Sequence, residues 1–267
     1  MRIRDDYLAE ITGIVVANIG AGKSEFMRTL EKRKAISHLL PLLSNCTELK
    51  VVEEDPKVFD LVARKFIPAL KDKDPERLLA AEIDIAQARF EQYQRISMEN
   101  GIWLLERSLY EDRFVFTESL YDGGKGILPE QYYKAYTLFV DEMFKLMAPP
   151  DIVIYLHTDP EVAFARVQAR GREFEKEYDL PYLTRLHNLY VAMAQKTMPL
   201  MVKDPNKIVP INANKHLTPE ELEAFHRNIE WRIAVLLKQR GFSPNGNGAN
   251  GSVAPTSASK ETAQPQQ

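Results

Sequence analysis

A single cysteine, Cys46, in 267 residues excludes an intramolecular disulfide and any metal site built from cysteines. It reads as a small buried apolar residue in a reducing compartment. No apolar run is long enough to cross a bilayer, and the opening MRIRDDYLAE lacks the apolar core of a secretory leader. A cytoplasmic protein without membrane contact is the expectation. Charge of one sign is also scarce: a net −3 with 27% charged residues obliges no face to be basic, so no nucleic-acid partner is expected. Internal repeats are absent. Periodicity fails from Pro244 onward, where PNGNGANGSVAPTSASKETAQPQQ is polar and rich in Gly, Asn, Ser and Gln. Such a stretch buries too little to offset the entropy of ordering it. The expected organisation is one domain over residues 1–243, large enough for a substantial core, and a disordered tail over 244–267.

What the chain does have is a sharp strand-to-helix passage, ITGIVVANIGAGKS, at Ile11–Ser24. A short β-branched apolar run suits a buried parallel strand. Gly20, Ala21 and Gly22 interrupt it, and Lys23-Ser24 open a predicted helix to about His38. This is the spacing of a phosphate-binding loop. Backbone N–H groups from Asn18, Ile19 and Gly20 through Ser24 face an anion, Lys23 reaches the outer phosphates of ATP or another nucleoside triphosphate, and Ser24 holds Mg2+. Ala17 replaces the first glycine of that motif, and alanine disfavours positive φ.

Further strands are predicted at Glu48–Val52, Ile102–Leu105, Asp151–Leu156 and Lys207–Ile211, alternating with helices. Among these helices are one over Pro75–Met98, one over Glu130–Met147 and one after the Thr218–Glu221 capping box. A helix from Val58 is expected to break near Pro68. Five strands alternating with helices give an α/β fold with a parallel sheet covered on both faces. Carboxylates and arginines cluster just past strand ends, where open parallel sheets place their chemistry. Phosphoryl transfer needs a cradle for the donor, a group to align the acceptor hydroxyl, and positive charge at the transferring group. The loop supplies the cradle, and Glu53 or Glu54 can take a hydroxyl proton. Glu106 falls beside Ser24 for Mg2+, and Arg107 falls near the reacting oxygens. Arg166, Arg170 and Arg172 precede an acidic stretch suited to closing over a triphosphate. Taken singly, each has a plain alternative: paired glutamates after a strand are commonly solvated, and arginines one turn apart commonly form a charged surface ridge.

In order along the chain, ANIGAGKS, VVEE, ERSLYEDRFVF and DIVIYLHTDPEVAFARVQARGREFE, followed by DLPYLTRLH, resemble the deoxynucleoside kinase family across most of residues 11–190. That resemblance implies a three-layer P-loop kinase fold with a five-stranded parallel sheet and an arginine-bearing lid at about 166–180. It also implies a homodimer, and transfer of the ATP γ-phosphate to a nucleoside 5′-hydroxyl with Mg2+. It matches Glu53 to the general base, with Glu54 if the register shifts by one, Arg107 to the 5′-oxygen and Glu106 to the metal end. It matches Asp112 with Arg89 to the base, Arg166, Arg170 and Arg172 to the lid, and Glu175 to the sugar 3′-hydroxyl. Phe116 falls near the base. Glu82 stands where the family has a glutamine, with Gln87 the nearby alternative. An ionised glutamate only accepts hydrogen bonds, which slightly favours a purine such as guanine. The family's tyrosine shortly before that glutamine has no counterpart, since none occurs between Tyr7 and Tyr93. Two other readings stay open: a kinase for a nucleotide or modified nucleoside, and a non-catalytic nucleotide-binding subunit of the same fold.

Overall fold

A computed structural model of the chain describes residues 8–32, 49–176 and 178–241. The fate of Cys46, the end of the first helix near His38 and the polar tail all lie outside the described residues. Five strands, β1 (Ala9–Ala17), β2 (Leu49–Val52), β3 (Gly101–Leu105), β4 (Ile152–His157) and β5 (Ile208–Asn212), form one sheet. Their order is β2-β3-β1-β4-β5, and every pairing is parallel. Each strand expected from the sequence is present: β1 starts two residues before Ile11, and the ends of β2 to β5 move by at most one residue, within the fraying of such boundaries.

Alternation along β1 decides the layers. Ile11, Val15 and Ala17 face α1 (Lys23–Lys32) and α8 (Pro219–Gln239), meeting Phe26, Met27, Ile229 and Ile233. Ile14 and Val16 face the opposite core, filled by α3 (Pro75–Ser97), α5 (Glu130–Lys145) and α7 (Leu180–Ala192, extended by Met193–Thr197 and Met198–Val202). Gly13 sits mid-strand because a Cβ there would come within 2.3 Å of the Leu104 side chain and 2.7 Å of Ile152. The neighbouring strands have filled that space.

Three helices widen locally to π geometry. The helix expected to break near Pro68 instead runs on: α2 comprises Pro56–Leu61, a π turn Val62–Phe66, and Ile67–Lys71. The Ile67 N–H bonds to Val62 O, five residues back, so Pro68 enters a turn that no longer needs its missing donor. Met193–Thr197 serves Pro199 in the same way. The third case, Asp112–Phe116 within α4 (Leu109–Glu111, Asp112–Phe116, Thr117–Tyr121), contains no proline and lies at the cleft described next. The remaining helix, α6 (Pro160–Arg170), ends at Gly171 with φ +65°.

Candidate active site

The C-terminal ends of β1, β2 and β3 open into a cleft of about 330 Å³. Its floor is the loop after β1. Gly20 has φ +82°, and a Cβ there would stand 2.4 Å from Ala163 O. Gly22 has φ +87° with nothing within 4 Å of a would-be Cβ, which leaves its approach open. Ala17 remains a buried strand residue, so the missing first glycine imposes no strain. Asn18 Nδ2 donates to Leu183 O at 3.1 Å, tying the loop to α7.

Lys23 is buried and its Nζ makes no hydrogen bond, though Glu111 Oε1 stands 3.8 Å away. Burial and the charge of Arg107 lower it to about 8, against the pull of Glu111, Glu106 and Glu54. A cation with no hydrogen-bond acceptor beside an open glycine is the arrangement an incoming anion completes. Ser24 Oγ donates to Glu106 Oε1 at 2.6 Å. Hydroxyl and carboxylate oxygens suit Mg2+, which takes one or two such groups together with substrate phosphates. The described residues contain no group of three or more His, Cys, Asp or Glu arranged to hold a metal.

The glutamate pair after β2 resolves by strand alternation. Glu53 is exposed and does not line the cleft, whereas Glu54 does. The Glu54 N–H donates to Glu106 Oε2 at 3.4 Å. Its carboxylate is ion-paired with Arg89 through a short hydrogen bond and lies 3.6 Å from Arg107 Nε. Burial pushes its pKa up, but Arg89, Arg107 and Lys23 outweigh that and hold it below the ordinary value. Of the two glutamates expected at this position, the structure brings Glu54 into the cleft and leaves Glu53 outside it.

Deeper in, Arg89 Nε is 3.1 Å from Asp112 Oδ2 without hydrogen-bond alignment, and Arg89 Nη1 is unpartnered. Glu82 is buried and lines the cleft, and its Oε2 accepts from Thr117 Oγ1 at 2.8 Å. Gln87 points to solvent and bonds Glu91, so Glu82 keeps the position. Burial and the charge of Asp112 push Glu82 up to about 8. That direction favours the neutral acid, with one donor and one acceptor as in glutamine, over the ionised, accept-only glutamate expected from the sequence. Phe116 carries Arg107 5.0 Å above its ring centroid. No tyrosine comes from α2, where Phe59, Val62 and Phe66 form the wall; Tyr178 and Tyr182 enter from the other side.

On the rim, Arg170 makes a two-point bond to Glu175 (2.9 and 2.7 Å), and Arg172 lies 3.6 Å from the same carboxylate. All three line the cleft. Arg166 does not. Its guanidinium donates to Ala213 O at 2.7 Å and Asn214 O at 3.4 Å, bracketing α6 to the segment after β5. Its expected place among the phosphate-facing arginines is corrected accordingly.

Glu111 went unnoticed in the sequence. It is fully buried, and its Oε1 accepts from Tyr190 Oη at 2.8 Å and Arg107 Nη1 at 3.1 Å. The signal was there, since SLYE is a capping box, and the box forms. A capping role alone, however, predicts neither the burial nor the arginine four residues back.

Comparison with known proteins identifies the family. The family model described as deoxynucleoside kinase matches residues 14–231. The chain is 27% identical over 220 residues to the mitochondrial thymidine kinase 2 of Macaca fascicularis, covering 78% of this chain and 81% of that one. It is 30% identical over 181 residues to the deoxyadenosine/deoxycytidine kinase of Bacillus subtilis, covering 66% and 73%. It is 25% identical over 203 residues to the deoxyguanosine kinase of Dictyostelium discoideum, covering 74% and 65%.

Proposed function

The chain belongs to the deoxynucleoside kinase family, and from that premise we infer how its residues transfer the γ-phosphate of ATP to the 5′-hydroxyl of a deoxynucleoside. The observation that carries the reading is Glu54. It is an ionised carboxylate held between Arg89 and Arg107, in the same cleft as a lysine with no hydrogen-bond acceptor over an open glycine loop.

The loop N–H groups and Lys23 bind the donor phosphates. Glu54 accepts the proton of the 5′-hydroxyl as that oxygen attacks. Arg107, steadied by Glu111 and Tyr190, neutralises charge on the reacting oxygens. Ser24 and Glu106 would hold Mg2+, which would supply charge to shield the phosphates. Arg170 and Arg172 turn from Glu175 to the triphosphate, freeing Glu175 for the sugar 3′-hydroxyl, and closure excludes water that would otherwise hydrolyse ATP. Arg89, Asp112 and Glu82 read the base. A neutral Glu82 withdraws the earlier reason for favouring a purine at neutral pH, because a donor-acceptor pair fits every nucleobase. The protein works as a homodimer through α3 and α5, a face supported by exposed Leu138 and by Leu146 just beyond α5.

The test is ATP consumption with Mg2+ across deoxyadenosine, deoxyguanosine, deoxycytidine, thymidine and their ribose forms. Nucleoside-dependent turnover that vanishes in Glu54→Gln supports the assignment. ATP binding without turnover on any member of the panel contradicts it.

A further inference from the structure

Glu82 differs from most acids at the cleft in having no ion pair. Glu54 pairs with Arg89 and Arg107, Asp112 with Arg89, and Glu111 with Arg107 and Lys23. Glu106 takes the Ser24 hydroxyl and lies near Lys23. Among the described residues no cation stands within ion-pair distance of Glu82, and its one hydrogen bond comes from Thr117. The groups facing it are Asp112 and Thr117 from α4, Arg89 from α3, Tyr136 from α5 and Tyr182 from α7. Arg89 is already shared by two carboxylates, and the tyrosines are raised far above the ordinary phenol range by burial. A negative charge on Glu82 would therefore be buried beside Asp112 without an ion-pair partner of its own, at 4% exposure.

Building on the assignment of the cleft to a deoxynucleoside kinase, we propose that the proton on Glu82 sets base preference: the neutral acid pairs with the donor-acceptor edges of adenine, cytosine and thymine, whereas the carboxylate takes the two adjacent N–H donors of guanine. The neutral form presents O–H and C=O side by side. Adenine answers with N1 and its amino group, cytosine with N3 and its amino group, and thymine with N3–H and O4. Guanine can answer the same way through N1–H and O6. The ionised form presents two acceptors, and of the four bases only guanine offers two neighbouring donors, N1–H and N2–H. Its edge also supplies hydrogen-bond donors to a carboxylate that has no ion-pair partner. Guanine binding then expels the proton, and loss of the proton costs cytosine one of its two bonds. Burial and the neighbouring Asp112 place the change at about 8, within reach of an ordinary assay.

The test is kcat/KM for deoxyguanosine and deoxycytidine at saturating ATP between pH 6.5 and 9. Their ratio cancels titration of Lys23, Glu54 and ATP, which both substrates share, but not that of Asp112, which burial raises to about 7 and which Glu82→Gln retains. The expected ratio rises at least ~10-fold in favour of deoxyguanosine across that range, and Glu82→Gln loses the part of the rise centred near 8. Should that variant fold poorly, calorimetry on the unaltered protein at pH 7.5, in two buffers of different ionisation enthalpy, replaces it. Proton release on binding deoxyguanosine but not deoxycytidine is the expected result. A constant ratio with good turnover, or equal proton release, overturns the role of Glu82 and leaves the kinase assignment standing. No turnover on either nucleoside at any pH overturns the role of Glu82, and the kinase assignment falls with it only if deoxyadenosine and thymidine give none either.

Discussion

Replacing Glu111 by glutamine keeps the shape of the side chain and removes one buried charge from between two cations. In the native protein Glu111 Oε1 lies 3.1 Å from Arg107 and 3.8 Å from Lys23, and Oε2 accepts the Ser108 N–H at 3.1 Å. At an effective dielectric of about 20 each attraction is on the order of 4–5 kcal/mol before desolvation. Breaking one partner of such a buried pair costs about 3–5 kcal/mol net. In a domain of this size each kcal/mol moves Tm by about 2–4 °C, so Glu111→Gln is expected to melt roughly 6–20 °C lower by scanning calorimetry. Lys23 can relieve part of that strain by shedding its proton. It already sits at about 8, with Glu111 among the charges holding it up, so the variant lowers it further. The free-enzyme profile of kcat/KM for ATP then falls off at lower pH than in the wild type, because an uncharged lysine binds phosphate poorly. An unchanged Tm together with an unmoved pH profile would refute the assignment of Glu111 as the residue that positions Arg107 and Lys23.

Gly20→Ala puts a methyl group into a positive-φ position 2.4 Å from Ala163 O; it should lose at least about 1–3 kcal/mol of stability and its nucleotide affinity, and a variant with native Tm and ATP binding would contradict the loop geometry. Arg170→Ala is expected to raise the KM for ATP about tenfold or more, the worth of a charge-assisted hydrogen bond, whereas Arg166→Ala should lower Tm and leave that KM nearly unchanged; steady-state kinetics of the two variants, with the pattern reversed, would show that Arg166 faces the phosphates. Glu82 titrates at about 8 when folded against 4.5 ordinarily, so between those values the native state holds a proton that the unfolded chain has lost, and its contribution to stability declines as pH rises. Glu82→Gln removes that decline, and the Tm of the variant minus that of the wild type should grow from pH 5 to pH 8; a constant difference would place Glu82 in a solvated setting.

The sheet was legible because its strands are short β-branched runs bounded by loops, a pattern that one buried parallel sheet explains. The sequence-based reading of Pro68 as a break missed because proline forbids only a regular α turn, and a π turn ahead of it removes the clash. Glu53 and Glu54 were inseparable without the strand's end, since a shift of one residue exchanges the two faces. Arg166 and Arg170 share a helix, yet a single turn with its tilt sends one guanidinium to backbone carbonyls and the other to the cleft. The protonation of Glu82 depends on its burial and on Asp112, against Thr117 and Arg89; Asp112 and Thr117 arrive from α4, and no local pattern records that meeting. Glu111 was hidden by its capping box, a sufficient local explanation for a carboxylate at that spot.

The most direct measurement is single-turnover formation of deoxynucleoside 5′-monophosphate, with ATP and Mg2+ saturating, in the wild type, Glu54→Gln and Glu53→Gln. Loss of the cleft's proton acceptor should slow Glu54→Gln by about 10²–10⁴-fold, while Glu53→Gln, altering an exposed side chain, stays close to wild type. A slow Glu53→Gln beside a normal Glu54→Gln, or no monophosphate from any of the three, would contradict the site described.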